Sequence, residues 1–415
     1  METNSEFVRR GSNVSRAHKE HEQKNWDSLL TSSSLAQQDC EETCAYYLIP
    51  FSELSETERN TRISSGLFKE SGEVDLLIKE HEAYLKRHLG DLGYRCMSQA
   101  SSKPWLYYHV LNSLDLLGLD PCSSIEGRNA SASIENNRTM FGGYAGSGSE
   151  YPHTMTTYAA VNSLICLERF EDIHRNELYR FFLSQKQPDG SFSVHVNGES
   201  DCRSCYCVLS ISRLLHMLTP ELIYGVKEFI LSCQTYEGGF GGRPCTEAHG
   251  GYTFCAVACL SILNALNECD LVNLEHWLYS RQCSLEGGFN GRTNKLVDGC
   301  YSWYVGAAIR LVSEYRGIEP LWNRDGLLEY CFKMEQCGDG GLRDKPDMRS
   351  DLYHTMYCLC GLSTYGGVLS NDIDCIHCLS KMKCLKCMNH FSLYSDEHKS
   401  LLEGLDSIRV EVEPE

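Results

Sequence analysis

The stretch QTYEGGFGGRPCTEAHGGYTFCAVACLSIL, residues 234–263, decides the fold. It opens on Gln234, passes through Glu237-Gly-Gly-Phe and ends in an apolar run that begins near Tyr252. The apolar residues of that run follow helical rather than alternating spacing. The glycine pair supplies a turn, because glycine takes positive φ without steric cost. The same unit recurs as Phe141-Gly-Gly-Tyr, Asp189-Gly-Ser-Phe, Glu286-Gly-Gly-Phe and Asp339-Gly-Gly-Leu. Successive steps are 48, 48, 49 and 53 residues. Upstream of the last four turns stand Gln185, Gln234, Gln282 and Gln336, and the apolar runs open near Tyr158, Tyr206, Tyr252, Tyr301 and Tyr353. A period of this length signals a repeat architecture. Between one run and the next turn lies a second helical segment, such as ELIYGVKEFILSCQ or LEHWLYSRQC.

Five helix pairs, preceded by PWLYYHVLNSLDLL (104–117), give about six. Stacked pairs form either an open solenoid or a closed toroid, and an open solenoid needs polar capping units at its ends. Every inner run here is apolar and aromatic, so the expectation is an all-α chain closed into an α–α barrel. Three regions are expected: a polar extension over 1–70 with one weak helix around 51–60, the barrel over 71–395, and a charged tail over 396–415. Within the barrel region, 71–90 reads as an outer helix and 123–140 as a loop rich in Asn and Ser. The chain ends Val412-Glu-Pro-Glu, which is not a lipidation box.

Composition narrows the function. The 415 residues are 42% hydrophobic, in short amphipathic groups without a run long enough to span a membrane. Residues 1–25 lack the apolar stretch of a secretory signal, so a cytoplasmic protein is expected. A net charge of −18 argues against nucleic-acid binding, which demands a basic face. In that compartment the 23 cysteines are expected to be free thiols, many of them packed as small hydrophobes. Cys375, Cys378, Cys384 and Cys387 form C-x2-C-x5-C-x2-C, but the central spacer is shorter than zinc ribbons or fingers use, so these too read as thiols.

GRTNKLVDGCYSWY (291–304) carries the first chemical signal. Asp298 and Cys300 stand two apart where the turn enters the helix beginning at Tyr301. His354, in SDLYHTMYC, occupies the equivalent helix start of the next repeat. With 23 cysteines and 15 histidines such a set arises readily by chance; its equivalence in adjacent repeats makes it a candidate metal site. Three protein ligands leave a fourth position for substrate, as catalytic zinc sites do. Arg292, Lys295, His249 and Tyr301 gather at the same rim, where Arg and Lys could clamp phosphate oxygens. Trp105, Tyr158, Tyr206, Tyr252 and Trp303 would line an apolar funnel, although aromatic stripes are more often plain core.

EAHGGYTFC, GR-x-NKLVDGCYS and D-x-YHT-x-YC, with PWL near 105 and YPH…TYAAVN near 151–162, closely resemble protein farnesyltransferase β subunits over roughly residues 95–365. The resemblance implies an α–α barrel paired with a separate α subunit, and Zn²⁺ on Asp298, Cys300 and His354. It implies diphosphate held by His249, Arg292, Lys295 and Tyr301, with Arg203 nearby and a lysine from the α subunit. Trp105 and Tyr158 match the bulky pair that floors the isoprenoid pocket of farnesyl enzymes, and Asp344 matches an Asp associated with Mg²⁺ use. Peptide contacts map to His153, Glu199 and Arg203, and the pocket for the protein's last residues to Ser101, Ser102, Trp105 and Tyr353. Two departures stand out: His109 occupies the place of an expected second Trp, and Trp303-Tyr304 replaces Phe-Trp.

The chemistry this implies is thiol alkylation. A zinc-held cysteine thiolate of a protein ending in a CaaX box, such as a small GTPase, attacks C1 of farnesyl diphosphate, and diphosphate leaves. The rivals are a type I geranylgeranyltransferase β subunit and a non-catalytic toroid scaffold. Terpene cyclases and thioester proteins share the toroid, but the chain has neither a D-x-D-D cluster nor a G-C-G-E-Q box.

Overall fold

The computed structural model describes residues 31–90, 99, 101–122, 124–148 and 150–392. The expected tail over 396–415 and the first part of the expected extension lie outside the described residues. The helices follow the repeat. Inner helices run over Lys103–Leu116, Thr154–Cys166, Cys202–Leu214, Gly250–Ile262, Tyr301–Arg316 and Leu352–Ser363. Outer helices alternate with them: Ile78–Gly90, Ile125–Glu135, Arg175–Ser184, Val226–Ser232, Leu271–Tyr279 and Arg324–Glu329, the last continuing as a π-helix over Tyr330–Glu335. The inner helices are buried nearly all round, as helices apolar on every face should be.

Each inner helix packs on the next, and Leu352–Ser363 packs back on Lys103–Leu116, so the ring is closed. The turn glycines show how. Gly238 has φ +101°, and a Cβ there would lie 2.1 Å from the Asn273 carbonyl oxygen on the following outer helix. Gly340 has φ +94°, and its Cβ would lie 2.2 Å from the carbonyl oxygen of Glu80, on the first outer helix. The recurring glutamine repeats the pattern. Gln234 Nε2 donates to the Asp270 carbonyl at 3.0 Å, ahead of the next outer helix. Gln336 Nε2 donates to the Asp75 carbonyl at 2.9 Å, and its Oε1 accepts from Leu77 N–H at 2.7 Å. The device that links neighbouring repeats thus links the last repeat to the first. The closed toroid expected from the apolar inner runs is what the chain forms.

Backbone bonds also align the inner helix starts along one rim. Thr154 N donates to the Val194 carbonyl, Cys202 N to Gly242, Gly250 N to Gly291 and Gly299 N to Asp344, at 2.7–3.0 Å. The other end is closed by a two-stranded hairpin, Ile373–Asp374 against Leu379–Ser380. Three tyrosines from three successive inner helices hold it. The Tyr108, Tyr158 and Tyr206 hydroxyls donate to the carbonyls of Cys378, His377 and Ile376 at 2.6, 3.2 and 2.9 Å.

The structure corrects two sequence expectations. Residues 125–135 form a helix rather than a loop, capped by Ser124 Oγ accepting from Gly127 N–H at 2.9 Å. It buries Gly127, Ala130, Ser131 and Ile134. Small residues fill that interface, which hides the apolar stripe. Within the expected extension, Glu56–Ser64 is helical and Ser32–Leu48 forms a longer helix that was not expected. The latter buries only Cys40 and Cys44, one turn apart, and Gln37 Nε2 donates to Glu286 Oε1 at 3.0 Å. The four cysteines of the C-x2-C pair lie on the closing hairpin and the helix Lys381–Ser392, with Cys378, Cys384 and Cys387 buried. Among the described residues no helix is long and apolar enough to cross a membrane.

Candidate metal centre and cavity

The rim residues sit where they do because each inner helix needs a cap. His153, Asp201, His249 and Asp351 occupy N-cap positions and accept backbone N–H bonds from the first turn of their helices. Cys300 takes the same position ahead of Tyr301, and Asp298 Oδ1 accepts from Cys300 N–H at 2.9 Å. Helix N-termini carry unpaired N–H groups and partial positive charge, so this rim favours anions.

One group of ligand-type side chains converges there among the described residues. The donor atoms of Asp298, Cys300 and His354 all lie within 4.8 Å of one another. His354 Nε2 is 3.2 Å from Asp298 Oδ1, and His354 Nδ1–H donates to Asp351 Oδ2 at 2.7 Å. Burial alone would lower the His354 pKa, but the bonds to Asp298 and Asp351 outweigh it and push it up to about 10. Burial would raise Asp298, and the same bond to His354 instead holds it down at about 2. Burial, then the Asp298 carboxylate, push the Cys300 thiol well above its usual value. A cation is what would favour the thiolate here, since coordinating thiols deprotonate. A carboxylate oxygen, a sulfur and an imidazole nitrogen fit a three-ligand metal site.

Asp351 was not picked out from the sequence, although it lies three residues before His354. Such a partner fixes the tautomer and orientation of a metal-binding His. Asp351→Asn should keep the cap and weaken metal affinity about 10–100-fold. Competition with a chelator, read as metal retained per chain, checks this; unchanged retention would remove Asp351 from the site.

Beside the triad opens a cavity of about 1710 Å³. Trp105, Tyr158, Tyr206, Tyr252 and Trp303 line it, together with Tyr304 and with Phe254 and Tyr357, which the sequence reading did not single out. The Trp105 and Tyr158 ring centroids are 5.8 Å apart, and Cys378 of the hairpin lines the same cavity. Asp298, Cys300 and His354 flank the wall rather than line it, and Asp351 and Tyr353 connect the two.

Of the basic group, His249, Arg292, Tyr301 and Arg203 line the cavity. His249 Nδ1 accepts from Gly251 N–H at 3.1 Å, so its proton sits on Nε2, which faces Tyr301 Oη at 3.0 Å. The Tyr301 hydroxyl hydrogen is then available to another acceptor. Arg292 pairs with Glu247 at 2.5 Å, and Arg203 is held by Asp201 at 2.5 Å, two carboxylates that sequence reasoning missed. Lys295 is exposed and outside the wall. Asp344 is also outside it, with its carboxylate paired to Lys345.

Among the expected peptide contacts, Ser102, Trp105, Arg203 and Tyr353 line the cavity. Ser101 precedes Ser102 at the start of that inner helix. His153 lies outside the wall with its ring 5.5 Å from that of His195, and Glu199 is 3.8 Å from Arg203.

A closed ring of helix pairs, with a candidate metal triad and a basic rim beside an aromatic cavity, defines an α–α toroid with one candidate site. The family model described as "Prenyltransferase alpha-alpha toroid domain" matches residues 76–386. The chain is 39% identical to a protein farnesyltransferase subunit beta of Pisum sativum over 331 residues, covering 64% of this chain and 78% of that protein. It is also 39% identical to that of Schizosaccharomyces pombe over 327 residues, covering 75% and 85%. Among solved structures, protein geranylgeranyltransferase-I of Candida albicans complexed with GGPP aligns with a TM-score of 0.68 at 25% identity, over 76% of this chain and 99% of that one. The chain belongs to the protein farnesyltransferase β-subunit family.

Proposed function

We propose that this chain is the catalytic β subunit of a heterodimeric protein farnesyltransferase. It transfers the farnesyl group of farnesyl diphosphate to the cysteine thiol at the CaaX terminus of a protein. The observation that carries the reading is the Asp298–Cys300–His354 cluster flanking the wall of an aromatic cavity that the His249–Tyr301 pair also lines. In this reading the three residues hold zinc, which supplies a positive charge that keeps the substrate thiol as thiolate. The aromatic wall takes the isoprenoid. Arg292, Arg203 and the Tyr301 hydroxyl face the diphosphate, and the family resemblance adds Lys295, which is exposed. These donors stabilise the charge that develops as the C1–O bond breaks and the new C–S bond forms. No side chain need act as general base. Asp344 would take Mg²⁺ only if its pair with Lys345 opens.

The test is co-expression with a prenyltransferase α subunit, followed by zinc analysis and farnesylation of a CaaX peptide. One zinc per β chain and turnover of farnesyl diphosphate are expected. Obligate interfaces bury roughly 2,000 Å² or more, and the reading assigns one diphosphate-binding lysine to the α subunit. The β chain alone should therefore be poorly soluble and inactive. Full turnover by a monodisperse single chain would contradict the heterodimer, and an active complex without zinc would contradict the metal role.

A further inference from the structure

His109 is 6% exposed, lines the cavity and has no hydrogen-bond partner within the protein for either ring nitrogen. Buried polar atoms are almost always partnered, so such a group asks for an explanation. Among the described residues only one other side chain combines cavity lining with an orphaned buried polar atom, and that is the single indole N–H of Trp303. His109 carries two orphaned atoms. Its ring is enclosed by Trp105 at 5.7 Å, Tyr353 at 5.8 Å and Tyr357 at 6.0 Å. The family resemblance implies that Trp105 and Tyr353 belong to the pocket for the peptide's last residues.

We infer that His109 reads the substrate peptide by hydrogen bonding to a neutral polar side chain among the three residues that follow the reactive cysteine. The inference rests on the transferase reading above. Burial holds the His109 pKa down at about 3, with the Asp351 charge opposing, so at neutral pH the ring offers one donor and one acceptor. That pair matches a hydroxyl or a carboxamide, which also both donate and accept. An acidic side chain would have nothing to donate and would find no cation on the ring. An apolar side chain would seal the imidazole away from water with its polar atoms unmatched, which costs more than a hydrogen bond contributes when formed.

The experiment uses the co-expressed αβ enzyme and CaaX peptides varied one position at a time between isosteric residues, Val against Thr and Leu against Asn. At one of the three positions the polar member should be preferred about tenfold in kcat/KM. His109→Phe should reduce that preference to about twofold or reverse it, with zinc content and the KM for farnesyl diphosphate unchanged. His109→Asn, which keeps a donor and an acceptor, should restore part of the preference. Preference for the apolar member at all three positions in the wild type would overturn the inference, as would a polar preference that survives in His109→Phe. If His109→Phe fails to fold, the wild-type comparison and His109→Asn still decide. A complex that turns over none of the peptides would overturn the transferase reading and this inference with it; turnover with apolar preference would overturn this inference alone.

Discussion

Replacing Cys300 by Ala should strip the zinc from the αβ enzyme and lower farnesyl transfer by about a thousandfold or more. Three protein ligands hold the metal in the proposed site, and Cys300 is the one sulfur among them. Asp298 and His354 would remain, but they already bond to each other at 3.2 Å and would close into a simple ion pair. A substrate thiol would then lose the charge that keeps it deprotonated. A metal centre supplies several kcal/mol of such stabilisation, and each 1.36 kcal/mol is a factor of ten in rate. The fold should hold, because the substitution removes one sulfur atom at a helix start and leaves in place the Cys300 backbone N–H that donates to the Asp298 carboxylate. Elemental analysis, turnover and the melting temperature separate the effects. Loss of zinc and activity at nearly constant Tm is the expected result. Zinc retained at one per chain in Cys300→Ala would show that the metal lies elsewhere.

The parts of this molecule that repeat were legible, because a repeat states its own geometry several times. The glycine turn, the glutamine ahead of it and the apolar run recur, and the structure uses them for one purpose, docking each pair on the next. The triad was legible because Asp298, Cys300 and His354 all stand at the starts of adjacent inner helices. What was missed occurs once, or packs without an apolar stripe. The helix Ile125–Glu135 buries glycine, alanine and serine with a single isoleucine, so its sequence resembles a loop. Asp201 and Glu247, which hold Arg203 and Arg292, reach their partners by side-chain geometry that no periodicity encodes. Asp351 differs, since its spacing of three from His354 on a helix start is a usable signal. The closing hairpin could not have been read. It follows the last repeat, and its bonds to Tyr108, Tyr158 and Tyr206 span 270, 219 and 170 residues of sequence.

That hairpin bears on the choice of lipid. Trp105→Thr should shrink or reverse the preference for farnesyl over geranylgeranyl diphosphate. In the proposed pocket Trp105 and Tyr158 form the floor, their rings 5.8 Å apart. Tyr158 has little freedom to move aside, because its hydroxyl is tied to the His377 carbonyl at 3.2 Å and lies 3.2 Å from Tyr206 Oη. Of the two, Trp105 is the one whose removal opens space without breaking the hairpin's bonds. Replacing the indole by a threonine side chain leaves room for about five more carbons, one isoprene unit. At roughly 0.8 kcal/mol per buried CH₂, the longer lipid gains on the order of 3–4 kcal/mol, a factor of about 10²–10³. Zinc content should not change, since the Trp105 ring packs on Tyr108, His109 and Tyr158. If the aromatic wall were only core, the substitution would cost a few kcal/mol of stability and leave lipid preference alone. Measuring kcat/KM for both diphosphates together with Tm distinguishes these outcomes. A folded Trp105→Thr enzyme with unaltered preference would place the floor elsewhere, with the hairpin residue Cys378 next in line because it also lines the cavity. A reversed preference would tie the farnesyl assignment to one indole backed by a tyrosine that the hairpin holds in place.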